Sequence, residues 1–169
     1  MYRIKKAVIH PRFLAQTFQY NIGAILLERK IQMNSNVPVD CVPRPIEYSE
    51  INKNDCFAYK WQLTGELSQK LFNILSKKST KINSDEFCQN KFKYYHSHYH
   101  ICIEEDKIEN YFHSDPGGPL ICKHLNDNKN IALVGMVSGC QNCRYSYSSI
   151  YIKISNLKIW IIYIEELFA

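Results

Sequence analysis

The sequence contains no long hydrophobic run and no dense block of basic residues. No span approaches the roughly 18 consecutive apolar residues that a membrane helix needs, and the C-terminal stretch IWIIYIEELFA is too short and contains two glutamates. The net charge is +5 and the pI is near 8.8, but the lysines are scattered and do not alternate with aromatic residues in one block. These absences argue against a membrane partner and against nucleic-acid binding.

The beginning of the chain also lacks a feature that its cysteines would suggest. The first residues, MYRIKKAVIHPRF, include basic side chains but no apolar segment of the kind that a secretory signal peptide contains. The chain nevertheless has seven cysteines, which is typical of proteins from an oxidising compartment. Either the cysteines stay reduced, or the true start lies upstream of Met1, and we expect the second.

Short apolar runs separated by turns indicate an all-β domain. A chain of 169 residues, 46% of them hydrophobic, can form one domain with a substantial core. Many short strands and one terminal helix predict a small antiparallel barrel. Strands are predicted at KAVIH, IGAILLERKI, DCFAYKWQL, HICIEE, residues 119–123, residues 131–138 and SIYIKIS, whereas SQKLFNILSKKS fits a helix or a strand equally well.

The stretch NLKIWIIYIEELF predicts a C-terminal helix. Ser155 or Asn156 is the expected N-cap. The residues predicted to be available for packing are Ile159, Trp160, Ile162, Tyr163 and Leu167.

The stretch SDPGGPLIC, residues 114–122, resembles the GDSGGPLVC nucleophile loop of the chymotrypsin/trypsin-like serine proteases. Other segments resemble the same family in the same order, and together they cover nearly all of the chain. These segments are VIHPRF, YNIGAILLERKI with VPVDCVP, CFAYKWQ, DEFCQNKF, LVGMVSGCQNC and SIYIKISNLKIWI. The chain is thus identified as an N-terminally truncated member of this family. The resemblance implies a trypsin-like double antiparallel β-barrel, with the rest of an incomplete first barrel in residues 1–45, the second barrel in 46–155 and a C-terminal helix in 156–167.

The same resemblance implies that the catalytic triad is degenerate. Pro116 stands at the position of the serine nucleophile and has no hydroxyl, and Asn21 stands at the position of the acid. The histidine base would lie upstream of the Asn21 segment, in a region absent from this sequence. His10 belongs to the family's structural HP pair and is not the base. We therefore expect no enzymatic activity.

The oxyanion loop, Ser114 to Gly117, is altered as well. In the family, two backbone N–H groups hold the oxyanion, and Pro116 has no N–H at the position of one of them. Ser114 replaces the glycine that gives the other N–H. In active relatives Asp115 pairs with a newly cut N-terminal amine, and since that segment is missing we expect a zymogen-like loop. In the substrate pocket, Asn110 lies near the specificity position, and Cys140 and Ser149 replace glycines and should narrow the pocket.

Two disulfides are implied by the resemblance: Cys56 with Cys122, and Cys88 with Cys102. Cys41 matches a family cysteine whose partner lies upstream, so we expect it to be free. Phe112 replaces the usual partner of Cys143. Cys140 and Cys143 then form a C-x-x-C pair that could be a local disulfide, two free thiols or half a metal site.

Three histidines at alternate positions raise a second question about metal binding. On a strand, His96, His98 and His100 would point the same way, which suits a metal. No fourth ligand is evident, so we favour an exposed, tyrosine-rich loop and expect neither a metal nor a cofactor.

Family resemblance and degenerate catalytic positions lead to one functional expectation. We expect a catalytically inactive serine protease homologue that regulates or binds proteins in an extracellular proteolytic cascade, with proteases, zymogens or inhibitors as its partners. Two alternatives stay open. One is a serine-type peptidase, by family membership, that uses Ser114 as an unconventional nucleophile. The other is a non-functional gene fragment, because an incomplete first barrel would expose strand edges.

Overall fold

The computed structural model describes residues 1–32, 46–64, 71–104, 115–127, 130–139 and 148–168. These residues form eight strands and two α-helices. The elements are β1 (Ile4–Ile9), β2 (Gly23–Leu27), β3 (Ile51–Thr64), β4 (Leu71–Thr80), α1 (Asp85–Lys91), β5 (His100–Glu104), β6 (Pro119–His124), β7 (Ile131–Gly139), β8 (Ser148–Lys153) and α2 (Lys158–Phe168). Two 3₁₀ turns, Tyr48–Glu50 and Ile154–Leu157, precede β3 and α2.

The strands form two antiparallel sheets of unequal size. Strands β1 and β2 pair with each other, and the other six follow the order β4-β3-β6-β7-β8-β5. The chain just after β4 brings the two ends of the larger sheet together. The Ile82 N–H donates to the Lys53 carbonyl of β3 at 2.8 Å, and the Asn83 N–H donates to the Cys102 carbonyl of β5 at 3.1 Å. The larger sheet therefore curls into a barrel, and the smaller one lies beside it.

The barrel interior is filled by apolar side chains that alternate along its strands. On β6, Leu120 and Cys122 are buried whereas their neighbours are only partly covered, as expected for strands with one core-facing side. The central cluster comprises Ile51, Cys56, Ala58, Ile82, Ile101, Ile103, Leu120, Cys122, Ala132, Val134, Val137 and Tyr151. A second cluster of Ile22, Ile152, Ile154 and Leu157, with Trp160 packed against it, joins the smaller sheet and α2 to the barrel.

The structure contains both disulfides that the family resemblance implied. Cys56 and Cys122 are directly opposite each other on β3 and β6, so their bond links two neighbouring strands of the barrel. Cys88 on α1 is bonded to Cys102 on β5, which fixes the short helix against the sheet. All four cysteines are fully buried. The described residues contain no helix that is long and apolar enough to span a membrane.

Each strand predicted from the sequence is present, and the ambiguous segment is the strand β4. Its residues from Leu71 to Thr80 pair with β3 along a long hairpin. This segment carries apolar residues at helical spacing, so only its pairing partner distinguishes the two structures.

The C-terminal helix is present, but two details of its prediction are wrong. Helical geometry begins with the 3₁₀ turn at Ile154, which follows Lys153 without a side-chain cap, so neither Ser155 nor Asn156 is the N-cap. The buried residue is Ile164, whereas Ile159 is 86% exposed. Exposed large side chains also include Ile162, Tyr163 and Leu167, whereas Trp160 packs against the second cluster as predicted. The helix is apolar on most of its surface, so the sequence does not distinguish its buried side.

Candidate functional site

The loop before β6 is a tight turn with Pro116 at its exposed tip. The Gly118 N–H donates to the Asp115 carbonyl at 2.8 Å, and Gly117 has a φ of +83°. Proline in the second position and a positive-φ glycine in the third are the features of a type II β-turn. Pro116 thus fits the backbone of this loop while offering no hydroxyl and no N–H.

Glycine is needed at the next position for a different reason, which is close packing. A Cβ added to Gly118 would lie 2.9 Å from the Asp115 carbonyl oxygen and 3.2 Å from the Tyr59 carbonyl oxygen. Neither backbone atom can move without disturbing a strand or the turn. The two glycines therefore fix the shape of the loop that presents Pro116.

The turn is attached to the barrel on two sides. On one side, the Gly117 N–H donates to the Val137 carbonyl at 2.9 Å, and the Val137 N–H donates to the Gly118 carbonyl at 2.8 Å. On the other side, the half-buried carboxylate of Asp115 accepts a hydrogen bond from the Trp61 N–H of β3 at 2.8 Å. These bonds hold the loop between β7 and β3.

Asn21, in the loop before β2, is bonded to the next residue of β7. Its amide nitrogen donates to the Ser138 carbonyl at 2.7 Å and lies 3.2 Å from the Ser138 hydroxyl. Val137 thus binds the Pro116 turn and Ser138 binds Asn21, so both positions that the sequence predicts to be degenerate are bonded to neighbouring residues of β7. The side chain that Asn21 places there is a neutral amide, which carries no negative charge.

The segment before Asn21 has an unusual backbone. Phe18 and Tyr20 both have positive φ values, 56° and 55°, which are uncommon for residues with a side chain. The Tyr20 ring stacks on His10 with centroids 4.6 Å apart, and its hydroxyl lies 3.4 Å from the Tyr99 hydroxyl. The hydrogen bond with Tyr99 lowers the pKa of Tyr20 and raises that of Tyr99. The strained segment is held by these aromatic contacts.

His10 is a packed structural residue. It is buried, its Nδ1 accepts the Arg12 N–H at 3.1 Å, and its ring also contacts Trp160 on α2. Burial and the nearby Arg12 guanidinium lower the pKa of His10. This packing joins the smaller sheet to α2, and the lowered pKa favours the neutral form of the His10 imidazole.

The three alternate histidines are not on one strand. His96 and His98 are exposed in a turn, whereas His100 begins β5 and is buried. The His100 Nδ1 accepts the His96 N–H at 3.2 Å, and its Nε2 lies 3.4 Å from the Phe18 carbonyl. Burial lowers the pKa of His100. Among the residues that the structure describes, no group of three His, Cys, Asp or Glu side chains could hold a metal ion.

Several predicted site residues lie outside the described residues, namely Cys41, Asn110, Phe112, Ser114, Cys140 and Cys143. Ser149 is described and is buried on β8 opposite Ile103. The narrowed pocket and the altered second oxyanion donor therefore stay predictions. The zymogen-like loop also stays a prediction, although Asp115 itself is described and binds the Trp61 N–H.

Two partners of the site were not found by sequence reasoning. Ser138, which binds Asn21, lies within the quoted segment LVGMVSGCQNC but was not singled out. Trp61 acts through its backbone N–H, and a backbone group carries no sequence signal. The resemblance of the segment around Ser138 could have identified the first partner.

Comparisons with known proteins agree with this geometry. The trypsin family model matches residues 1–161. Mouse granzyme E is 29% identical over 160 residues, which cover 94% of this chain and 60% of granzyme E. Mouse cathepsin G is 26% identical over 72% of this chain and 46% of its own length. The clotting factor G beta subunit of Tachypleus tridentatus is 23% identical over 95% of this chain and 55% of its own length.

A solved structure described as "Structure of GrC" has the same fold. Its TM-score is 0.76 at 22% identity, and the match covers 96% of this chain and 68% of that one. This chain thus spans about half to two thirds of the length of these relatives. The family model covers almost the whole sequence, and the structure has the corresponding curled barrel, smaller sheet and C-terminal helix. The chain belongs to the trypsin family, the chymotrypsin/trypsin-like serine proteases.

Proposed function

We propose that this chain is a catalytically inactive member of the trypsin family that regulates or binds proteins in an extracellular proteolytic cascade. The observation that carries the proposal is Pro116, exposed at the tip of the turn where the family places its serine. A proline has no nucleophilic atom, and its missing N–H removes an oxyanion donor worth about 3–4 kcal/mol in a working enzyme.

The acid position supports the same proposal. The Asn21 amide donates to the Ser138 carbonyl at 2.7 Å. A neutral amide in this orientation cannot stabilise an imidazolium as a carboxylate does. Two functions of the triad are thus replaced by side chains that suit the backbone of the site and lack its chemistry.

The fold that surrounds these positions is retained. The turn keeps its hydrogen bonds to Val137 and Trp61, and both disulfides are formed. A protease-shaped surface without chemistry suits partners that recognise proteases by shape, which are other proteases, zymogens and protein inhibitors. The disulfides support an extracellular location.

Inactivity can be tested with a fluorophosphonate probe and chromogenic peptide substrates. We expect no labelling and no turnover for the wild-type chain. Pro116→Ser, which places a hydroxyl in the same turn, is the matched variant, and Pro119→Ser, at the start of β6, is its control. Labelling of the wild-type chain would contradict the proposal. If Ser114→Ala then abolished that labelling, the chain would be a peptidase with an unconventional nucleophile.

The regulatory role can be tested with a decoy assay. Active trypsin is mixed with a stoichiometric protein inhibitor, and this chain is added in excess. If the chain binds inhibitors through its protease-shaped surface, trypsin activity returns as the inhibitor is captured. The reduced and alkylated chain is the control. No return of activity, together with no change in zymogen activation by trypsin, would contradict the role with these partners.

A further inference from the structure

One end of the smaller sheet gathers basic residues that are separated in the sequence. The Glu28 N–H donates to the Arg3 carbonyl at 2.9 Å, and Ile4 is opposite Leu27. The start of β1 and the chain after β2 therefore lie side by side. The basic end, as we name it, consists of Arg3, Lys5, Lys6, Arg29 and Lys30, all of which are exposed.

The basic end carries most of the net charge of the protein. Residues 1–6 and 28–30 contain these five cations and one acid, Glu28, which is a net charge of +4 out of +5 for the whole chain. All other residues together contribute a net charge of only +1. This concentration of charge makes the surface around the start of β1 and the chain after β2 positive.

The cations at this end are available to a partner. Within the described residues, none of the five forms an ion pair with an acidic side chain, and the ion pairs Lys123–Asp55 and Lys158–Glu47 lie elsewhere. The Arg29 guanidinium lies over the Tyr2 ring at 5.1 Å and donates to the Met1 carbonyl at 3.2 Å. Lys6 lies 5.9 Å from the Phe168 ring of α2. These contacts position two cations without neutralising them.

We propose that the basic end binds sulfated polysaccharides. Clustered Arg and Lys side chains bind polyanions by displacing their counterions. The two buried disulfides are typical of extracellular proteins, and sulfated polysaccharides are the abundant polyanions outside cells. Binding at the basic end would localise the chain on a polyanionic matrix. This property goes beyond the proposed function and does not depend on whether the site around Pro116 is inactive.

The test uses heparin immobilised on a biosensor, with chemically desulfated heparin as the comparison ligand. The patch variant is Arg3→Ser/Lys5→Ser/Lys30→Ser. The matched control, Lys81→Ser/Lys91→Ser/Lys93→Ser, removes three exposed cations elsewhere, so both variants have a net charge of +2. An unchanged midpoint of urea unfolding shows that each variant is folded.

We expect the wild-type chain to bind heparin and to lose on the order of tenfold or more in affinity between 50 and 200 mM salt. The patch variant should bind at least about tenfold more weakly than the control variant, because the charges are lost where they are clustered. Equal losses in the two variants would overturn the proposal, since binding would then follow net charge. Binding to anionic lipid vesicles without binding to heparin would also overturn it and would indicate a membrane surface instead.

Discussion

The barrel and the smaller sheet use similar apolar residues but bury them very differently. In the barrel, Leu120 is fully buried and the strands surround a common interior. In the smaller sheet, Ile9 and Ile25 are 67% and 58% exposed on neighbouring strands. A sheet buries its apolar side chains only when another sheet or a helix covers that face. The sequence of a strand alone therefore does not determine how much of it is buried.

The smaller sheet is held by contacts that lie outside its own two strands. His10 packs between Tyr20 and Trp160, Asn21 is bonded to Ser138, and the Phe18 carbonyl lies near His100. These contacts use the loop between β1 and β2. An isolated two-stranded sheet has little stability in water, so we expect the smaller sheet to unfold no later than the barrel.

The two tryptophans allow each region to be followed separately. Trp61 lies on β3 of the barrel, and Trp160 lies on α2 against His10. In a Trp160→Phe background fluorescence reports on the barrel, and in a Trp61→Phe background it reports on the junction with the smaller sheet.

The largest expected effect is the loss of the barrel disulfides. Replacing Cys56 and Cys122 with alanine should lower the free energy of unfolding by about 4 kcal/mol, and replacing Cys88 and Cys102 by about 3 kcal/mol. The reason is the length of the closed loops, with sequence separations of 66 and 14 residues. Urea unfolding of both variants measures the difference. A greater loss for the shorter loop would show that local packing, and not loop length, sets the order.

A matched pair of core and surface substitutions tests the comparison directly. Leu120→Ala should destabilise the barrel by about 2–5 kcal/mol because it leaves a cavity in a closed interior. Ile25→Ala should change stability by only about 0.5 kcal/mol, because this side chain is already mostly exposed. Urea unfolding followed by Trp61 and Trp160 fluorescence checks both values. Comparable losses would mean that the exposed face of the smaller sheet is covered in solution.

Acid should weaken the contacts between the two regions. Burial lowers the pKa of both His10 and His100 below the ordinary value of 6.5. A depressed folded pKa favours the neutral ring, so stability is complete above pH 6.5 and falls as the pH drops below it. The loss is at most about 1.4 kcal/mol for each unit by which a pKa is lowered. Unfolding measured from pH 7.5 to 5 should show this slope, and His10→Phe should reduce it; an unchanged slope would exclude His10 as its source.

A small effect is expected for the hydrogen bond that links Asn21 to β7. Asn21→Ala removes the hydrogen bond to the Ser138 carbonyl and should cost about 0.5–1.5 kcal/mol. The Trp160 signal should report this loss more strongly than the Trp61 signal, because Asn21 belongs to the smaller sheet's loop. A control substitution, Gln16→Ala, changes an exposed residue of the same loop. Equal responses of the two signals would indicate that the two regions unfold together.

The local sequence pattern was sufficient to predict most of the strands but not to predict which side of α2 is buried. The alternating sequence SIYIKIS predicted β8 because a half-buried strand requires that alternation, and β6 and β7 were predicted as two short apolar runs on either side of a turn. The face of α2 was mispredicted because apolar residues occur on most of its circumference, and only contact with the barrel selects Ile164. The segment of β4 was ambiguous until its pairing with β3 was known.

The sequence by itself determined the family, most of the strand positions and the chemistry of Pro116 and Asn21, since a proline has no hydroxyl and an asparagine no charge in any fold. Only the tertiary structure decided that the Pro116 turn and Asn21 are bonded to neighbouring residues of β7, that His100 is buried while His96 and His98 are exposed, and that the cations of residues 3–6 and 29–30 lie side by side. The reason is physical: a side chain's chemistry is local, whereas its neighbours are set by strand pairing between segments far apart in the chain.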